Sequence, residues 1–236
     1  MTHALSRASL RRLPQYIKVL VRLVEEEQPY VTSAEFAQLL ELDETLVRKD
    51  LAVTGFTGKP RVGFAARGLL DHLESFLGLR TFKEAFLIGA GRLGQALSQY
   101  RGFVKYGLHI AGVFDNDPLK IGQTVGDLEI QPVWKAPVLA RRQEIRIALL
   151  TVPPQVAQSV ADLLVDAGVI AFWNFSGQPL RMPSPVIVHD EDLADSLAVL
   201  SHRLVQYDLC TEAPVAFTEM ARAPECLEGG EQRASN

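Results

Sequence analysis

Three glycines in the middle of the chain have the spacing of a turn that holds phosphate groups. Gly89, Gly91 and Gly94 follow a short apolar run and open a stretch with helical periodicity. In such a strand-turn-helix unit the first glycine permits the tight turn and the second lets the backbone approach a pyrophosphate, while the third lets the helix pack on the strand. Backbone amides at the start of the helix then supply hydrogen-bond donors for the phosphates. The spacing therefore predicts a dinucleotide-binding turn.

An acidic residue ends the next predicted strand. Asp115 follows residues 108–114, about twenty residues after the last glycine. A carboxylate there accepts hydrogen bonds from ribose hydroxyls and would repel a 2′-phosphate, so the sequence favours NAD(H) over NADP(H). Thr151, Val152 and Pro153 follow a later strand, at the edge where doubly wound sheets expose their ligand crevice. Their small, apolar character suits a loop that contacts the nicotinamide ring.

Three alternatives remain open for these residues. The glycines could serve only the close packing of a helix on a strand. Arg92 could reach a phosphate, or it could be a solvated residue on the first helical turn. The stretch 151–154 could equally be an ordinary Pro-rich turn from strand to helix.

A dehydrogenase would also need a general acid or base in its crevice, and the histidines offer little support for one. His3 is terminal, His72 lies on a predicted linking helix, and His109 begins a strand away from the crevice. His189 and His202 remain as candidates, but no substrate domain of sufficient size accompanies them. We therefore expect no catalytic residues and no enzyme activity.

The N-terminal segment predicts a helix-turn-helix. Apolar residues recur at helical spacing over residues 13–27, with Pro14 in the first turn. Thr32 and Glu35 form a capping box that opens a second helix. Asp43 can cap a third helix, which extends to about residue 53. Short helices joined by a tight turn are typical of DNA-binding domains.

Basic residues follow one face of that third helix and continue into the segment after it. Thr45, Arg48 and Lys49 share a helical face, while Lys59 and Arg61 lie in a predicted β-hairpin. Such residues can contact the major groove from the helix and the flanking backbone or minor groove from the hairpin, which would be a wing. An ordinary solvated helix with basic residues is the alternative.

The order of the predicted elements indicates a two-domain chain. The wing covers residues 57–64, and a linking helix covers residues 67–80. Strands and helices then alternate, as is typical of a parallel sheet with crossover helices. We predict strands at 84–89, 108–114, 128–131, 145–151 and 169–174, helices at 92–101 and 154–166, and a final helix with Leu193, Leu197, Leu200 and Leu204 in one stripe. The predicted boundaries are 1–80 for the winged-helix domain, 81–189 for the sheet domain, 190–206 for the final helix and 207–236 for a disordered tail.

Composition sets only weak limits. The chain has 236 residues and a net charge of −4, and its first 70 residues carry ten Lys/Arg against eight Asp/Glu. This mild asymmetry gives slight support to a nucleic-acid partner. No apolar run approaches the ~18 residues that span a bilayer, and the N-terminus lacks a signal-peptide pattern, so we expect a cytoplasmic protein. Cys210 and Cys226 lack metal-ligand spacing, so we expect neither a metal site nor a structural disulfide.

Together these residues resemble the Rex family of redox-sensing transcriptional repressors. The resemblance covers roughly residues 8–206. Its motifs are Arg12-Leu-Pro-Gln-Tyr16, Val47-Arg-Lys-Asp-Leu51, Gly89-Ala-Gly-Arg-Leu-Gly94, Phe114-Asp-Asn-Asp-Pro-Leu-Lys-Ile-Gly122, Leu149-Leu-Thr-Val-Pro153 and Asn174-Phe175. These motifs imply an α/β chain with an N-terminal winged helix, a Rossmann-like sheet domain and a domain-swapped C-terminal helix. They extend the cofactor-binding set to Ala90, Leu93, Asn116, Lys120 and Asn174.

The resemblance also implies how the parts work together. It implies a homodimer that binds operator DNA when NADH is scarce and releases it when NADH binds. It further implies a switch in which Asp192 contacts Tyr100 in one state and a basic residue of the first helix in the other. That basic residue is Lys18 here, where arginine is usual. Lysine cannot make the bidentate pair of an arginine.

Other departures fall in the DNA-binding segment. Residues 52–54 are Ala-Val-Thr where Ser-Tyr-Phe or a similar run is usual, and Lys59-Pro-Arg61 replaces the usual Arg-Gly of the wing. Ser176 and Gly177 follow Asn174-Phe175 where Ala-Pro is usual. We expect a repressor that senses NADH. The alternatives are a related nucleotide-binding protein with altered or lost DNA recognition and a small NAD-dependent oxidoreductase.

Overall fold

The computed structural model describes residues 6–211. The chain begins with four helices and two short strands that pair antiparallel, Tyr30 with Ala65 and Val31 with Phe64. In chain order the elements are α1 (Arg7–Glu25), β1 (Tyr30–Val31), α2 (Ser33–Leu40), α3 (Glu44–Val53), β2 (Phe64–Ala65) and α4 (Ala66–Phe76). Helices α2 and α3 form the predicted helix-turn-helix.

Side-chain caps determine where these helices begin. The Thr32 hydroxyl accepts from the Glu35 amide at 3.1 Å, and the Glu35 carboxylate accepts from the Thr32 amide at 2.6 Å, which confirms the predicted capping box. Asp43 caps α3, as predicted, through the Leu46 amide at 3.0 Å. Each cap satisfies an amide that the helix itself leaves without a partner.

Helix α1 begins earlier than the sequence predicted. Ser6 accepts from the Ser9 amide at 3.0 Å, so the helix starts at Arg7 and Pro14 lies in its interior rather than in its first turn. An interior proline removes one helical hydrogen bond. Burial of Leu13, Tyr16 and other apolar residues of α1 in the N-terminal core offsets this loss.

The predicted wing is not a regular β-hairpin. Only one isolated bridge, between Lys59 and Gly63, closes it, and Phe64 pairs instead with Val31 of β1. Pro60 at the centre of the loop has no amide to donate, so it cannot continue a strand ladder. The wing is therefore a loop that a two-stranded sheet anchors at its base.

Residues 83–190 form a seven-stranded sheet with helices around it. The strand order is β5-β6-β4-β3-β7-β8-β9, and every pair except β5–β6 is parallel. The strands are β3 (Lys83–Ile88), β4 (Leu108–Asp115), β5 (Thr124–Val125), β6 (Leu128–Pro132), β7 (Ile147–Leu150), β8 (Ala171–Asn174) and β9 (Ile187–Asp190). The order reverses beside β3, so the carboxyl ends of β3 and β7 border a crevice of the kind that doubly wound sheets use for ligands.

The helices of this domain are α5 (Arg92–Ser98), α6 (Gly102–Lys105), α7 (Ala136–Arg142) and α8 (Pro154–Asp166), with a 3-10 turn at Val133–Lys135. The predicted helix 92–101 ends early, at Ser98 of α5, and α6 follows beyond the predicted range. The sequence did not predict β5, α7 or β9. All three elements are short, and β9 is largely exposed at the sheet edge, so none of them has an apolar periodicity long enough to recognise. The interior of the sheet is apolar, with Phe86 and Phe114 packed at 4.7 Å between ring centroids.

The last helix, α9 (Leu193–Thr211), begins three residues later than predicted and continues past residue 206. Residues 207–211 are therefore helical rather than part of a tail, whereas the predictions for 212–236 and Cys226 lie outside the described residues. Leu197, Leu200 and Leu204 of the predicted apolar stripe are 60%, 63% and 59% exposed. Within residues 6–211, no helix is long and apolar enough to cross a membrane.

Candidate functional site

The glycine turn has the geometry that its spacing predicted. Gly89 has a φ of +104°, a conformation that side chains disfavour, and its amide donates to the Phe114 carbonyl at 2.7 Å. A Cβ atom on Gly94 would lie 1.9 Å from the Gly89 carbonyl oxygen, whereas a Cβ atom on Gly91 would have nothing within 4 Å. Gly94 thus serves close packing, and Gly91 leaves open space beside the turn.

Thr151 fixes the turn to the neighbouring strand. Its hydroxyl lies 2.7 Å from the Gly89 carbonyl oxygen and 3.1 Å from that of Ile88, and its amide donates to Ile88 at 2.9 Å. A Cβ atom on Gly89 would meet the Thr151 carbonyl at 2.6 Å. The ends of β3 and β7 are therefore held together at the crevice.

Asp115 is buried at the end of β4 as an ionised carboxylate. It accepts from the Ala90 amide at 2.7 Å, from the Asp117 amide at 2.8 Å and from the Lys120 ammonium at 3.1 Å. Burial alone would raise the pKa of Asp115, but these hydrogen bonds outweigh burial and hold the pKa below its usual value. A negative charge thus lies at the end of β4, where the sequence predicted a carboxylate that accepts hydrogen bonds from ribose hydroxyls.

A cavity of about 630 Å³ opens between these elements, and we call it the Gly89 cavity. Eight of the predicted cofactor-binding residues line it: Gly89, Gly91, Asp115, Asn116, Lys120, Thr151, Val152 and Pro153. The other lining residues are Ile88, Val133, Val156, Ser159 and Val160. The lining therefore combines polar and charged residues with aliphatic side chains, as small-molecule sites commonly do.

Four of the five additional lining residues come from elements on which the sequence placed no function. Val156, Ser159 and Val160 have the three- and four-residue spacing of one helical face in the first turns of α8. That spacing is a signal the sequence contained, because α8 follows the predicted loop directly. Val133 gave no such signal, since only the pairing of β6 with β4, which sets Pro132 opposite Asp115, brings the next residue to the cavity.

The remaining predicted cofactor-binding residues lie around the cavity in different ways. The Ala90 amide supports Asp115, and Gly94 is buried under the turn. Arg92 and Leu93 are exposed on the first turn of α5 and are not among the cavity-lining residues. They are near the turn in sequence, but the helix directs them to solvent.

Asn174 has a structural environment that differs from the prediction. It is 1% exposed, and its amide group donates to Asp190 at 2.6 Å and to the Gln178 carbonyl at 2.7 Å. Its carbonyl oxygen accepts from Ser176. These bonds use its amide group to join β8 to β9, and Asn174 does not line the Gly89 cavity. The motif alone gave no sign of β9, which supplies the partner.

The predicted DNA-binding residues lie on the exposed side of α3. Thr45, Arg48 and Lys49 are exposed, while Val47 and Leu51 are buried in the N-terminal core. Arg48 pairs with Glu44 one turn earlier at 2.8 Å. Lys49 has no ion pair or hydrogen bond among residues 6–211, so its charge is available to a partner.

The wing presents two further cations. The Val62 amide closes the loop by donating to the Lys59 carbonyl at 3.1 Å, and Pro60 occupies the second position of the turn. Arg61 at the third position has a φ of +62°, where glycine is favoured. The Lys59 ammonium lies 3.3 Å from the Tyr30 hydroxyl. Both Lys59 and Arg61 are exposed.

The three predicted switch residues lie on separate elements, and no hydrogen bond joins them within the described chain. Lys18 is exposed on α1, and Tyr100 is 58% exposed after α5. Asp192 accepts from the Ala194 amide at 2.8 Å at the start of α9. In a single chain Asp192 therefore stabilises its own helix.

The histidines occupy other environments. His72 donates to the Thr54 carbonyl at 2.8 Å, His109 packs on Phe82 with ring centroids 4.5 Å apart, and His189 lies 3.2 Å from Glu191. None of these histidines lines the Gly89 cavity, and neither does His202. No cluster of potential metal ligands occurs among the described residues.

Two family models match the chain. A model described as a CoA binding domain matches residues 82–177, which contain most of the sheet and the Gly89 cavity. A model described as the N-terminus of a putative DNA-binding protein matches residues 4–52, which contain α1, α2 and most of α3. The two matches fall on opposite sides of the linking helix α4.

Curated relatives extend over both segments. The redox-sensing transcriptional repressor Rex of Treponema denticola is 40% identical over 192 residues, covering 81% of this chain and 91% of that protein. The repressor Rex of Carboxydothermus hydrogenoformans is 40% identical over 197 residues, covering 84% of this chain and 95% of that protein. The likeness therefore includes the DNA-binding segment as well as the cavity.

Solved structures of a Rex-family repressor are similar to this chain over both the N-terminal segment and the sheet domain. RSP, a Rex-family repressor, has been solved with β-NADH and also with β-NAD⁺ and operator DNA. The NADH complex has a TM-score of 0.81 at 32% identity, covering 90% of this chain and 100% of that one. The complex with NAD⁺ and DNA has a TM-score of 0.82 at 34% identity, covering 89% and 97%.

Proposed function

The chain belongs to the Rex family of redox-sensing transcriptional repressors, and we propose that it binds operator DNA and is released when NADH occupies the Gly89 cavity. It is a transcriptional regulator rather than an enzyme. The single observation that supports the proposal most strongly is the Gly89 cavity, which combines an open phosphate turn with the ionised Asp115.

The residues present fit a dinucleotide. The space beside Gly91, where a Cβ atom would have no neighbour within 4 Å, is the cradle that a pyrophosphate needs. Asp115 can accept hydrogen bonds from ribose hydroxyls, and Lys120 lies beside it. We place the cofactor-binding residues at the eight predicted positions that line the cavity, with Val133, Val156 and Val160 as apolar contacts.

The preference for NADH follows from the cost of burying charge. The nicotinamide ring of NAD⁺ is a cation, and that of NADH is neutral. Moving a cation from water into an apolar environment without a partner is unfavourable, whereas moving the neutral ring is not. The predicted ring-contacting residues Val152 and Pro153 provide such an environment.

DNA recognition is assigned to α3 and the wing. Lys49 is unpaired and exposed on α3, and Lys59 and Arg61 are exposed on the wing. We propose that α3 enters the major groove and that the wing contacts the flanking backbone or minor groove. The operator preference should differ from that of typical relatives, because residues 52–54 and the wing differ from the usual family sequence.

The coupling of the two sites requires a dimer with two geometries. The apolar face of α9 is exposed in the single chain, and a second copy of the chain would cover it. A full switch from 1:99 to 99:1 requires about 5.5 kcal/mol of differential binding, which two sites can share. We propose a homodimer with α9 packed on the partner, with Lys18, Tyr100 and Asp192 as the switch residues. A repressor that acts on chromosomal DNA would work in the cytoplasm.

The proposal is tested by titrating DNA release against the ratio of NADH to NAD⁺. The probes are the operator duplex of the RSP complex and a duplex that the wild-type protein selects from a random pool. We expect NADH to dissociate the complex at far lower concentration than NAD⁺. DNA affinity that neither nucleotide changes would overturn the proposal.

The DNA-binding surface is tested with Lys49→Ala. The variant should weaken DNA binding and reduce the slope of log K against log salt by about one, because one phosphate contact is lost. Lys105→Ala, in the sheet domain, is the control and should leave the slope unchanged. A protein that binds NADH but shows no salt-dependent DNA affinity would instead be a nucleotide-binding relative that has lost DNA recognition.

A further inference from the structure

Four aromatic side chains form a continuous row from the exposed Tyr100 into the sheet, and we call it the aromatic row. The ring centroids of Tyr100 and Phe103 are 5.0 Å apart, and those of Phe103 and Trp173 are 5.5 Å apart. Phe175 continues the row at 5.2 Å from Trp173. The Tyr100 ring also packs closely on Gly102, because a Cβ atom on Gly102 would lie 2.3 Å from the ring.

Trp173 of the aromatic row contacts the residues that precede α9. The Trp173 indole donates to Glu191 Oε2 at 3.3 Å, and His189 Nε2 lies 3.2 Å from the same oxygen. Trp173 and His189 are partners in the register of β8 and β9, and the Glu191 amide donates to the Asn174 carbonyl at 2.9 Å. Glu191 is thus fixed through both its backbone and its side chain.

Glu191 immediately precedes Asp192, which caps α9. The Asp192 carboxylate accepts from the Ala194 amide at 2.8 Å, so the direction of α9 depends on how residues 190–192 are held. A contiguous set of contacts therefore leads from the Tyr100 ring through Phe103, Trp173 and Glu191 to the cap of α9.

We propose that Trp173 is a positioning residue that couples Tyr100 to the start of α9, through ring packing on Phe103 and a hydrogen bond to Glu191. The inference rests on the proposed function, since it concerns how NADH binding reaches the DNA-binding domain. Trp173 does not line the Gly89 cavity, so its role is in transmission rather than in nucleotide binding.

This coupling has a physical basis in the contacts themselves. The rings of the aromatic row pack on one another, and Trp173 and His189 both contact the Glu191 carboxylate, so these groups have few alternative arrangements. A shift of Tyr100 can be passed to Phe103 because the two rings are in direct edge-to-face contact. Trp173 transmits the shift to Glu191, which bonds it directly. A measured coupling between Tyr100 and the start of α9 therefore tests this path.

The experiment measures the coupling factor, defined as the operator Kd with saturating NADH divided by the Kd without it. It uses the full chain, with the duplex selected by the wild-type protein as the probe. In Trp173→Leu we expect the coupling factor to fall by at least about fivefold while the Kd for NADH stays within about twofold. A residue with a purely structural role would change stability without changing the coupling factor at equal NADH affinity.

Two further variants separate the contacts. Glu191→Ala removes the acceptor without disturbing the rings and should lower the coupling factor in the same direction. Trp173→Phe keeps the ring packing and loses the indole donor, so its loss should be intermediate. Trp134, the other tryptophan of the chain, is 71% exposed and outside the aromatic row, and Trp134→Leu is the matched control that should leave coupling unchanged.

The outcomes separate a failure of the Trp173 role from a failure of the proposed NADH-dependent DNA release. A wild-type protein that NADH does not release from DNA overturns the proposed function and this inference with it. A wild-type protein that switches, with an unchanged coupling factor in both Trp173→Leu and Glu191→Ala, overturns the inference alone. Loss of NADH affinity in those variants would make Trp173 part of the binding site, which also contradicts it.

Discussion

Arg12 and Asp50 form a bidentate ion pair that joins α1 to α3. The Nε and Nη2 atoms of Arg12 lie 2.6 Å and 2.8 Å from the Asp50 carboxylate, and the Tyr16 hydroxyl donates to the same group at 2.9 Å. The Asp50 side chain is 2% exposed. Because Asp50 neighbours the predicted DNA-contact residue Lys49, the pair fixes the orientation of α3 relative to the rest of the domain.

Removal of this charge should lower stability. Asp50→Asn should reduce the free energy of unfolding by about 3 kcal/mol, because the Arg12 charge loses its partner in a largely buried position. Tyr16→Phe should cost about 1 kcal/mol, the value of one hydrogen bond. Urea unfolding at neutral pH measures both. The double variant Arg12→Gln/Asp50→Asn should lose less than the sum of its single variants, and strict additivity would show that the pair contributes no coupling.

Stability should also fall in acid. Burial alone would raise the pKa of Asp50, but hydrogen bonds from Arg12 and Tyr16 outweigh it and lower the pKa. The pKa of Asp115 is lowered in the same direction. A lowered folded-state pKa gives stability that is complete above about pH 4, the unfolded value, and is lost as pH falls below it. The free energy of unfolding should therefore decline from about pH 4 downward, and less steeply in Asp50→Asn.

Two glycines of the phosphate turn should respond differently to alanine. Gly94→Ala should destabilise the fold by more than about 3 kcal/mol, because its Cβ atom would lie 1.9 Å from the Gly89 carbonyl oxygen. Gly91→Ala should fold normally, since nothing lies within 4 Å, yet bind NADH about tenfold more weakly because the methyl group occupies the phosphate cradle. Thermal unfolding and NADH fluorescence titration separate the two effects. Unchanged NADH affinity in Gly91→Ala would move the pyrophosphate away from this turn.

The charge of Asp115 should set the choice between NADH and NADPH. Asp115→Asn removes the repulsion of a 2′-phosphate, so the preference for NADH over NADPH should fall by about tenfold. Competition between the two nucleotides in a binding titration measures the ratio. Asp127→Asn, an exposed carboxylate outside the Gly89 cavity, is the control. An unchanged ratio in Asp115→Asn would mean that the ribose lies elsewhere.

The parts of the site that the sequence predicted are local in the chain. The glycine turn and Asp115 lie within one strand-turn-helix-strand unit, and the capping box of Thr32 and Glu35 is a spacing of three. Two features that the sequence did not predict depend on the strand order. Val133 reaches the cavity because β6 lies beside β4, and Asn174 is drawn away from it because β9 supplies Asp190 as a partner. Neither pairing leaves a signature in the residues themselves.

The backbone conformation of Arg61 in the wing is another feature that the sequence did not predict. The sequence identified Arg61 as a cation of the wing, but its left-handed backbone depends on how the loop closes between Lys59 and Val62. Pro60 at the second turn position and a positive φ at the third are the marks of a type II turn, in which glycine is usual at the third position. Arg61 therefore places a charged side chain at a position whose left-handed backbone conformation favours glycine.

This strain should be measurable by comparing two substitutions of Arg61. Arg61→Gly and Arg61→Ala both remove the charge, so each should reduce the salt slope of DNA binding by about one if Arg61 contacts a phosphate. Only glycine relieves the left-handed backbone, so Arg61→Gly should exceed Arg61→Ala in unfolding free energy by about 1 kcal/mol. Salt titration of DNA binding and urea unfolding provide the two measurements. Equal stabilities would refute the strained turn, and an unchanged slope in both variants would remove Arg61 from the DNA interface. A lower slope together with a more stable Arg61→Gly protein would show that the wing accepts backbone strain to hold a cation at its tip.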